Sequence, residues 1–183
     1  MYTAINLAAF KIGWLSSVFG AAAGWTLIGP LAAIGAAGLH LVRSLQPRSE
    51  LTLLICAAGL GIAFDGLLMA SDWVSFPGHD GWLPPTWMVG IWVLFATTLN
   101  VAFPWLRNRL WLAALLGGVF GPLSYWSGSK AGALALLEPT SALVALSVGW
   151  ALVMPLLIAL GARLDGVSTP AANPALDGGQ AHV

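Results

Sequence analysis

Residues 140–162 read TSALVALSVGWALVMPLLIALGA, an unbroken apolar run without a single charged side chain. A helix needs about 20 such residues to cross the hydrocarbon core of a bilayer. The whole chain shares this character, because 58% of its 183 residues are hydrophobic and only 8% are charged. A soluble domain carries about 25% charged residues, since its surface faces water. The run and the composition together predict helices embedded in lipid.

Five further apolar segments extend this prediction to an all-α, polytopic transmembrane bundle of six helices. Two features leave five helices open as an alternative. Residues 31–45 are short for a span unless the helix tilts or the bilayer thins, and residues 128–137 either prolong the fifth helix or form a re-entrant segment. Together with 140–162, the predicted spans are residues 4–25, 31–45, 51–70, 85–103 and 110–127.

The basic residues give the predicted orientation. In a six-span chain five arginines fall on one side, whereas Lys130 is alone on the other side. Short loops rich in Lys and Arg stay in the cytoplasm, so both termini are predicted to be cytoplasmic. We expect residues 1–163 to form the transmembrane domain and the polar residues 164–183 to form a disordered cytoplasmic tail. The arginines are Arg43, Arg48, Arg107, Arg109 and Arg163.

Charge and motifs exclude several functions. The net charge is zero and no basic patch occurs, so we predict no nucleic-acid partner and expect the lipid bilayer as the main one. The sequence contains no P-loop, no G-x-S-x-G elbow, no H-E-x-x-H helix and no paired-cysteine metal motif. We therefore predict no cofactor, no metal site and no identifiable catalytic residue.

Seven polar residues inside the predicted spans are the candidate functional residues. An ionisable side chain at a helix centre costs about 2.5–3.5 kcal/mol on insertion scales, so it usually faces the bundle interior or water. Predicted depth separates the candidates into two groups. Asn6, Lys11, His40 and Asn100 belong to the cytoplasmic half, and Asp65, Ser124 and Tyr125 belong to the outer half.

Within each group some contacts are possible. In the cytoplasmic half Lys11 could meet Asn100 and His40, although Lys11 could also snorkel to the headgroups. His40 could equally be a packed, hydrogen-bonded side chain, and Asn100 an interhelical hydrogen bond. In the outer half Tyr125 or Lys130 is the expected partner of Asp65. Otherwise Asp65 reaches outer water, or stays protonated and hydrogen-bonded.

Small residues at helical spacing predict close approach of helix backbones. In lipid, helices associate through close packing and hydrogen bonds, because no hydrophobic force drives them together. We expect these faces to pack within the bundle, and a dimer or larger oligomer through them is the alternative. The three faces are Gly20-x-x-x-Gly24, Gly117-x-x-x-Gly121 and Gly128-x-x-x-Gly132.

Several motifs resemble a bacterial inner-membrane family that is known only as a domain of unknown function. The resemblance covers about residues 4–162 and implies a multi-pass protein of the bacterial inner membrane. Genes of the family lie near those of cyclopropane-fatty-acid-type methyltransferases, which implies a link to membrane-lipid modification or envelope stress. The motifs are Asn6-x-x-x-Phe10-x-x-Gly13-Trp14, Asp65, Trp87-Met88, Phe95-Ala96-Thr97-Thr98-Leu99-Asn100 and Gly121-Pro122-Leu123-Ser124-Tyr125.

Three functions remain open at this point. The favoured one is an accessory or scaffold partner of membrane-associated, lipid-modifying enzymes. The second is a small transporter or channel in which Asp65 and the fifth span line a cavity near the outer face. The third is a membrane-embedded lipid-modifying enzyme that transfers protons through Asp65, Tyr125 or His40. Catalysis requires these groups to converge within about 2.6–3.2 Å, which the depth of His40 disfavours.

Overall fold

The structure, a computed structural model, describes residues 2–168, which form six helices. Four of them, α1, α3, α5 and α6, are long and apolar enough to cross a membrane, whereas α2 and α4 have 16 and 14 residues. The predicted all-α fold with six helices is therefore confirmed. The helices are α1 (Tyr2–Ala22), α2 (Ile28–Arg43), α3 (Pro47–Ala70), α4 (Thr86–Leu99), α5 (Leu110–Lys130) and α6 (Pro139–Arg163).

Prolines account for two differences between the helices and the predicted spans. α2 begins before residue 31 because Pro30 fits its first turn, where a missing backbone N–H breaks no hydrogen bond. α4 ends at Leu99 and not near 103, and Pro104 then opens a separate 3-10 helix, Pro104–Leu106. Proline lacks a donor N–H and restricts the residue before it, so α4 does not continue through this position.

The segment after α5 is a turn followed by a strand and not a re-entrant helix. Gly132 reverses the chain with a φ of +85°, a conformation that glycine adopts without strain. The strand β2 (Ala135–Leu136) then pairs antiparallel with β1 (Val74–Ser75), which follows α3. The backbone N–H of Leu137 also donates to the carbonyl of Trp73 at 3.0 Å. These two connections together form a cap over one end of the bundle.

The short helix α4 lies at the centre of the bundle. It packs against α1, α2 and α3, and it also contacts α6. No residue from Trp87 to Leu99 is exposed, whereas large apolar side chains such as Ile34, Leu67 and Leu152 are exposed on other helices. An apolar exterior of this kind suits hydrocarbon, which needs no polar partners. α1 and α5 do not pack along each other, and this leaves a gap between them.

The tightest helix pair is α5 with α6. A Cβ at Gly117 or Gly121 would collide with Trp150 of α6, so only glycine lets the two helices come this close. The small face that contains these two glycines therefore serves a contact inside the bundle.

The first residues of the predicted tail, 164–168, contact the bundle. Gln46 donates its backbone N–H to the carbonyl of Gly166 at 2.9 Å, and Asp165 forms an ion pair with Arg107 at 2.8 Å. These partners hold residues 164–168 against the end of the bundle despite their polar composition. The remainder of the predicted tail, 169–183, lies outside the described residues.

Candidate functional site

A buried acid at the arginine-rich end of the bundle organises the first polar cluster. Glu50, in the first turn of α3, has no exposed surface. Its carboxylate accepts hydrogen bonds from His40 Nε2 at 2.9 Å, Asn100 Nδ2 at 2.8 Å and the backbone N–H of Gly166 at 2.7 Å. We call this the Glu50 cluster, and it consists of Tyr2, His40, Glu50, Asn100, Arg107, Asp165 and Gly166.

The outer residues of the Glu50 cluster form hydrogen bonds with the residues that contact the Glu50 carboxylate. Tyr2 lies with its hydroxyl 3.2 Å from His40 Nδ1, so the tautomer with its proton on Nε2 serves Tyr2 and the carboxylate together. Asn100 Oδ1 accepts from Arg107 Nη2 at 2.9 Å. A buried carboxylate is tolerated when it is fully hydrogen-bonded. The cluster therefore ties α1, α2, α3 and the end of α4 to the segment after α6.

Asp165 closes this cluster as a permanent anion at neutral pH. Partial burial alone would raise the pKa of its carboxyl group. The hydrogen bonds from Ser168, Val167 and Arg107 outweigh burial and lower that pKa from 3.8 to about 2. Asp165 therefore stays charged and holds the Arg107 guanidinium against Asn100.

The expected cytoplasmic group is only partly present. His40 and Asn100 both bind Glu50, whereas Lys11 lies elsewhere, on the cavity described below. Sequence reasoning missed Glu50 because it stands one residue before the predicted span 51–70. The signal available in the sequence was that Glu50 is a single acidic residue close to Arg43 and Arg48. Asn6 is also separate, since its Nδ2 donates to the carbonyl of Thr97 at 3.0 Å and links α1 to α4.

The second buried acid is Asp65, in the interior of α3, and its partners are aromatic. The hydroxyl of Tyr125 donates to Asp65 Oδ1 at 2.5 Å, and Trp92 Nε1 donates to Oδ2 at 2.8 Å. Tyr125 was the expected partner, and Lys130 lies instead over the ring of Trp126. Trp92 was not expected, because tryptophan is usual at membrane interfaces and not in the middle of a span.

Next to this pair lies a cavity of about 490 Å³ between α1, α4, α5 and α6. This volume is within the range of about 300–1,000 Å³ that small-molecule sites occupy. Its walls are mainly aromatic and aliphatic. Trp92 stacks on Trp150 with ring centres 4.9 Å apart and planes 13° apart, which makes one wall flat. Of the candidate residues, Lys11, Ser124 and Tyr125 line the cavity, whereas Asp65 stands behind the wall.

Few polar groups line the cavity, and three of the residues that carry them, Lys11, Trp14 and Ser124, lie where α1 faces α5. Trp14 Nε1 donates to Ser124 Oγ at 3.2 Å, which bridges the gap between the two helices. Lys11 Nζ lies 5.7 Å from the ring centre of Trp14. The cavity thus combines an apolar interior with an ammonium and a hydroxyl at one edge. Within residues 2–168 no three His, Cys, Asp or Glu side chains are grouped as metal ligands.

Comparison with known proteins gives one match. No curated protein and no solved structure is significantly similar to the chain. The profile of a family described as a protein of unknown function matches residues 3–156, a range that contains every residue lining the cavity. The expected membership in an uncharacterised family is thereby confirmed, and it assigns no activity to any residue. The chain belongs to the DUF2878 family of proteins of unknown function.

Proposed function

We propose that this protein is a multi-pass protein of a bacterial inner membrane that holds a lipid-derived ligand and assists enzymes that modify membrane lipids. The observation that carries the proposal is the aromatic-walled cavity of about 490 Å³ between α1 and α5. Apolar pockets with a few well-placed polar groups are the usual form of small-molecule sites. In this proposal both termini face the cytoplasm, in keeping with the excess of arginine in the corresponding segments.

The position of the cavity supports access from the bilayer. Lys11 and Phe120 both line the cavity and both are exposed, on α1 and α5 respectively. Each lies near the middle of a helix long enough to span, about 15 Å from the helix ends at about 1.5 Å per residue. The hydrocarbon core is about 30 Å thick. An opening at this depth faces acyl chains and not water, so a lipid would enter sideways.

A channel through Asp65 fits this arrangement less well. Both carboxylate oxygens of Asp65 are engaged, and the residue is buried behind Tyr125 and Trp92 instead of lining the cavity. An ion path needs such a group to face water. The polar contribution of Asp65 is to hold two wall residues in position.

Catalysis also has weaker support than binding. Asp65 and Tyr125 are within hydrogen-bond reach of each other, but His40 belongs to the Glu50 cluster at the end of the bundle. The cavity therefore lacks the third group that the enzyme hypothesis requires. In the proposed accessory role the protein binds a lipid without changing it chemically and presents it to an enzyme.

Lipid analysis of the purified protein tests the binding site. Ile91 lines the cavity, and Ile91→Trp should fill part of it, whereas Ile55→Trp makes the same change on an exposed face of α3 outside the cavity. We expect the wild type and Ile55→Trp to co-purify with the same lipid and Ile91→Trp to lose it several-fold, as measured by mass spectrometry of extracts. Equal lipid content in all three proteins contradicts the binding proposal.

The accessory role has its own test. Deletion of the gene should change the fatty-acid composition of the membrane, measured by gas chromatography with and without oxidative stress. Restoring the wild type should reverse the change, and restoring Ile91→Trp should not. An unchanged profile under both conditions contradicts the accessory role and leaves ligand binding standing.

A further inference from the structure

We infer that the ligand is a long-chain fatty acid whose carboxylate pairs with Lys11 while its hydrocarbon chain lies in the cavity. The inference rests on the proposed function, since it names the ligand of the same cavity. Three features carry it, which are the surroundings of the Lys11 ammonium, the hydrogen bonding of Ser124 and the depth of Lys11 in the membrane.

Lys11 brings a positive charge to the cavity edge, and no acidic side chain in the described part of the chain pairs with it. The ion pairs within residues 2–168 are His40 with Glu50 and Arg107 with Asp165, and neither includes Lys11. Its ammonium instead lies 5.7 Å from the ring centre of Trp14. A lysine in the middle of a span costs about 2.5–3.5 kcal/mol on insertion scales, which an anion in the cavity would offset. The cavity edge therefore favours a negatively charged group.

Ser124 supplies a second donor at the same edge. Its Oγ accepts the indole N–H of Trp14, and its own hydroxyl proton has no acceptor within the described part of the chain. By contrast, Ser127 on the same helix donates to the carbonyl of Leu123 at 2.7 Å. A carboxylate has two oxygens and accepts from an ammonium and a hydroxyl together. Lys11 and Ser124, which both lie next to Trp14 at the cavity edge, supply one donor of each kind.

Depth in the membrane distinguishes a fatty acid from a phospholipid. Lys11 lies about 15 Å from the ends of α1 at about 1.5 Å per residue, below the level of phospholipid headgroups. A phosphodiester would have to carry its charge into hydrocarbon to reach this ammonium. A carboxylic acid enters hydrocarbon in its neutral form, and it then ionises beside the cation. One apolar chain also suits a single cavity with aromatic walls.

The test is a binding measurement on the full chain in phosphatidylcholine nanodiscs. Radiolabelled palmitic acid and radiolabelled hexadecanol share a chain length and differ in charge. We expect the wild type to retain palmitate in preference to hexadecanol, and Lys11→Gln to weaken palmitate retention about tenfold, as expected for loss of a charge-assisted hydrogen bond. Lys11→Arg should restore it. Ser124→Ala should give a smaller loss of the same selectivity.

Lys130→Gln is the matched control. Lys130 also lies over a tryptophan ring, with Nζ 5.6 Å from the centre of Trp126, but it does not line the cavity. This variant should bind palmitate like the wild type. Thermal unfolding of each variant in the same nanodiscs verifies that it is folded.

The outcomes separate the inference from the proposed function. If Lys11→Gln binds palmitate as the wild type does while Ile91→Trp abolishes binding, the cavity holds a lipid but the carboxylate pairing is wrong. If phosphatidylglycerol displaces palmitate from the wild type at equal concentration, the acid-specific ligand is likewise wrong. If neither probe binds and Ile91→Trp behaves as the wild type, both the ligand and the proposed function are overturned.

Discussion

Glu50 and Asp65 are two carboxylates on the same helix, and both are buried almost completely. Glu50 receives its donors from a histidine, an amide side chain and a backbone N–H, which come from three separate segments. Asp65 receives its donors from the rings of Trp92 and Tyr125, which form part of a cavity wall. The first acid fastens segments together, whereas the second positions a surface that a ligand could touch.

Two buried acids on one helix can therefore have different roles in a membrane bundle. An intramembrane ionisable residue is a functional candidate because it is energetically unfavourable. At Glu50 three hydrogen bonds compensate for the cost of burying the carboxylate, and the residue has no exposed surface. Burial alone therefore does not distinguish an acid that holds helices together from an acid that shapes a binding site. The presence of a cavity beside the hydrogen-bond partners of the acid does distinguish them.

Removal of Glu50 should have the largest effect on stability. Glu50→Ala leaves His40, Asn100 and the Gly166 N–H without an acceptor, and breaking a buried charged network costs about 3–5 kcal/mol. We expect a marked fall in the unfolding temperature in detergent, and Glu50→Gln should fall less. Glu138→Ala is the control, since Glu138 is exposed. Equal unfolding temperatures for the two alanine variants contradict a fastening role.

Compared with substitution of Glu50, substitution of Asp65 should lower the stability of the fold less and lower ligand binding more. Asp65→Asn keeps the shape but presents N–H groups to one of its two donors, which costs about 1–3 kcal/mol. Because Trp92 and Tyr125 then shift, we expect lower lipid content at a temperature where the variant is still folded. Lipid content and unfolding temperature are measured on one preparation. If the variant loses stability but keeps its lipid, Asp65 holds helices together as Glu50 does and does not shape the binding site.

Tyr125→Phe sharpens the comparison because it removes only the donor and keeps the ring in the cavity wall. The lost hydrogen bond to Asp65 should lower stability by about 1–2 kcal/mol. Lipid retention should fall less than in Asp65→Asn, since Trp92 keeps its partner. The same two measurements apply, and a larger loss of lipid in Tyr125→Phe would assign the hydroxyl a direct ligand contact.

The Arg107–Asp165 pair should give the smallest effect, with a defined pH dependence. The pKa of Asp165 is lowered in the folded state to about 2, so its contribution is present above about pH 4 and is lost as the pH falls towards 2. We expect Asp165→Asn to be less stable than the wild type at pH 5, by about 1 kcal/mol or less for this partly exposed pair. The two proteins should converge only below the folded-state pKa of about 2, because half of the Asp165 side chains are still ionised at that pH. A difference that does not shrink as the pH falls from 5 through about 2 rules out the carboxylate charge as the cause.

The apolar runs were sufficient to predict six helices, although the runs of α2 and α4 are short for a span. Depth along the spans also paired Asp65 with Tyr125 correctly. Contacts that depend on side-chain packing were beyond the sequence. Trp92 meets Asp65 because α4 packs against α3. Residues 164–168 are polar like a disordered tail, but Glu50 and Arg107 bind Gly166 and Asp165. The cavity lies between α1, α4, α5 and α6, which are distant in sequence, so no local sequence pattern predicts it.

The most direct test of the central claim is photo-crosslinking of the protein in a bilayer that contains a fatty acid with a diazirine near its methyl end. Trp92 is buried and Ile91 is only partly exposed, and both line the cavity, so labels on these two residues report entry of a lipid into the cavity. We expect crosslinks on Ile91 and Trp92 of α4, which excess palmitate suppresses while crosslinks on the exposed Ile55 of α3 persist. Crosslinks confined to exposed faces, with none on Ile91 or Trp92, contradict a lipid-binding cavity.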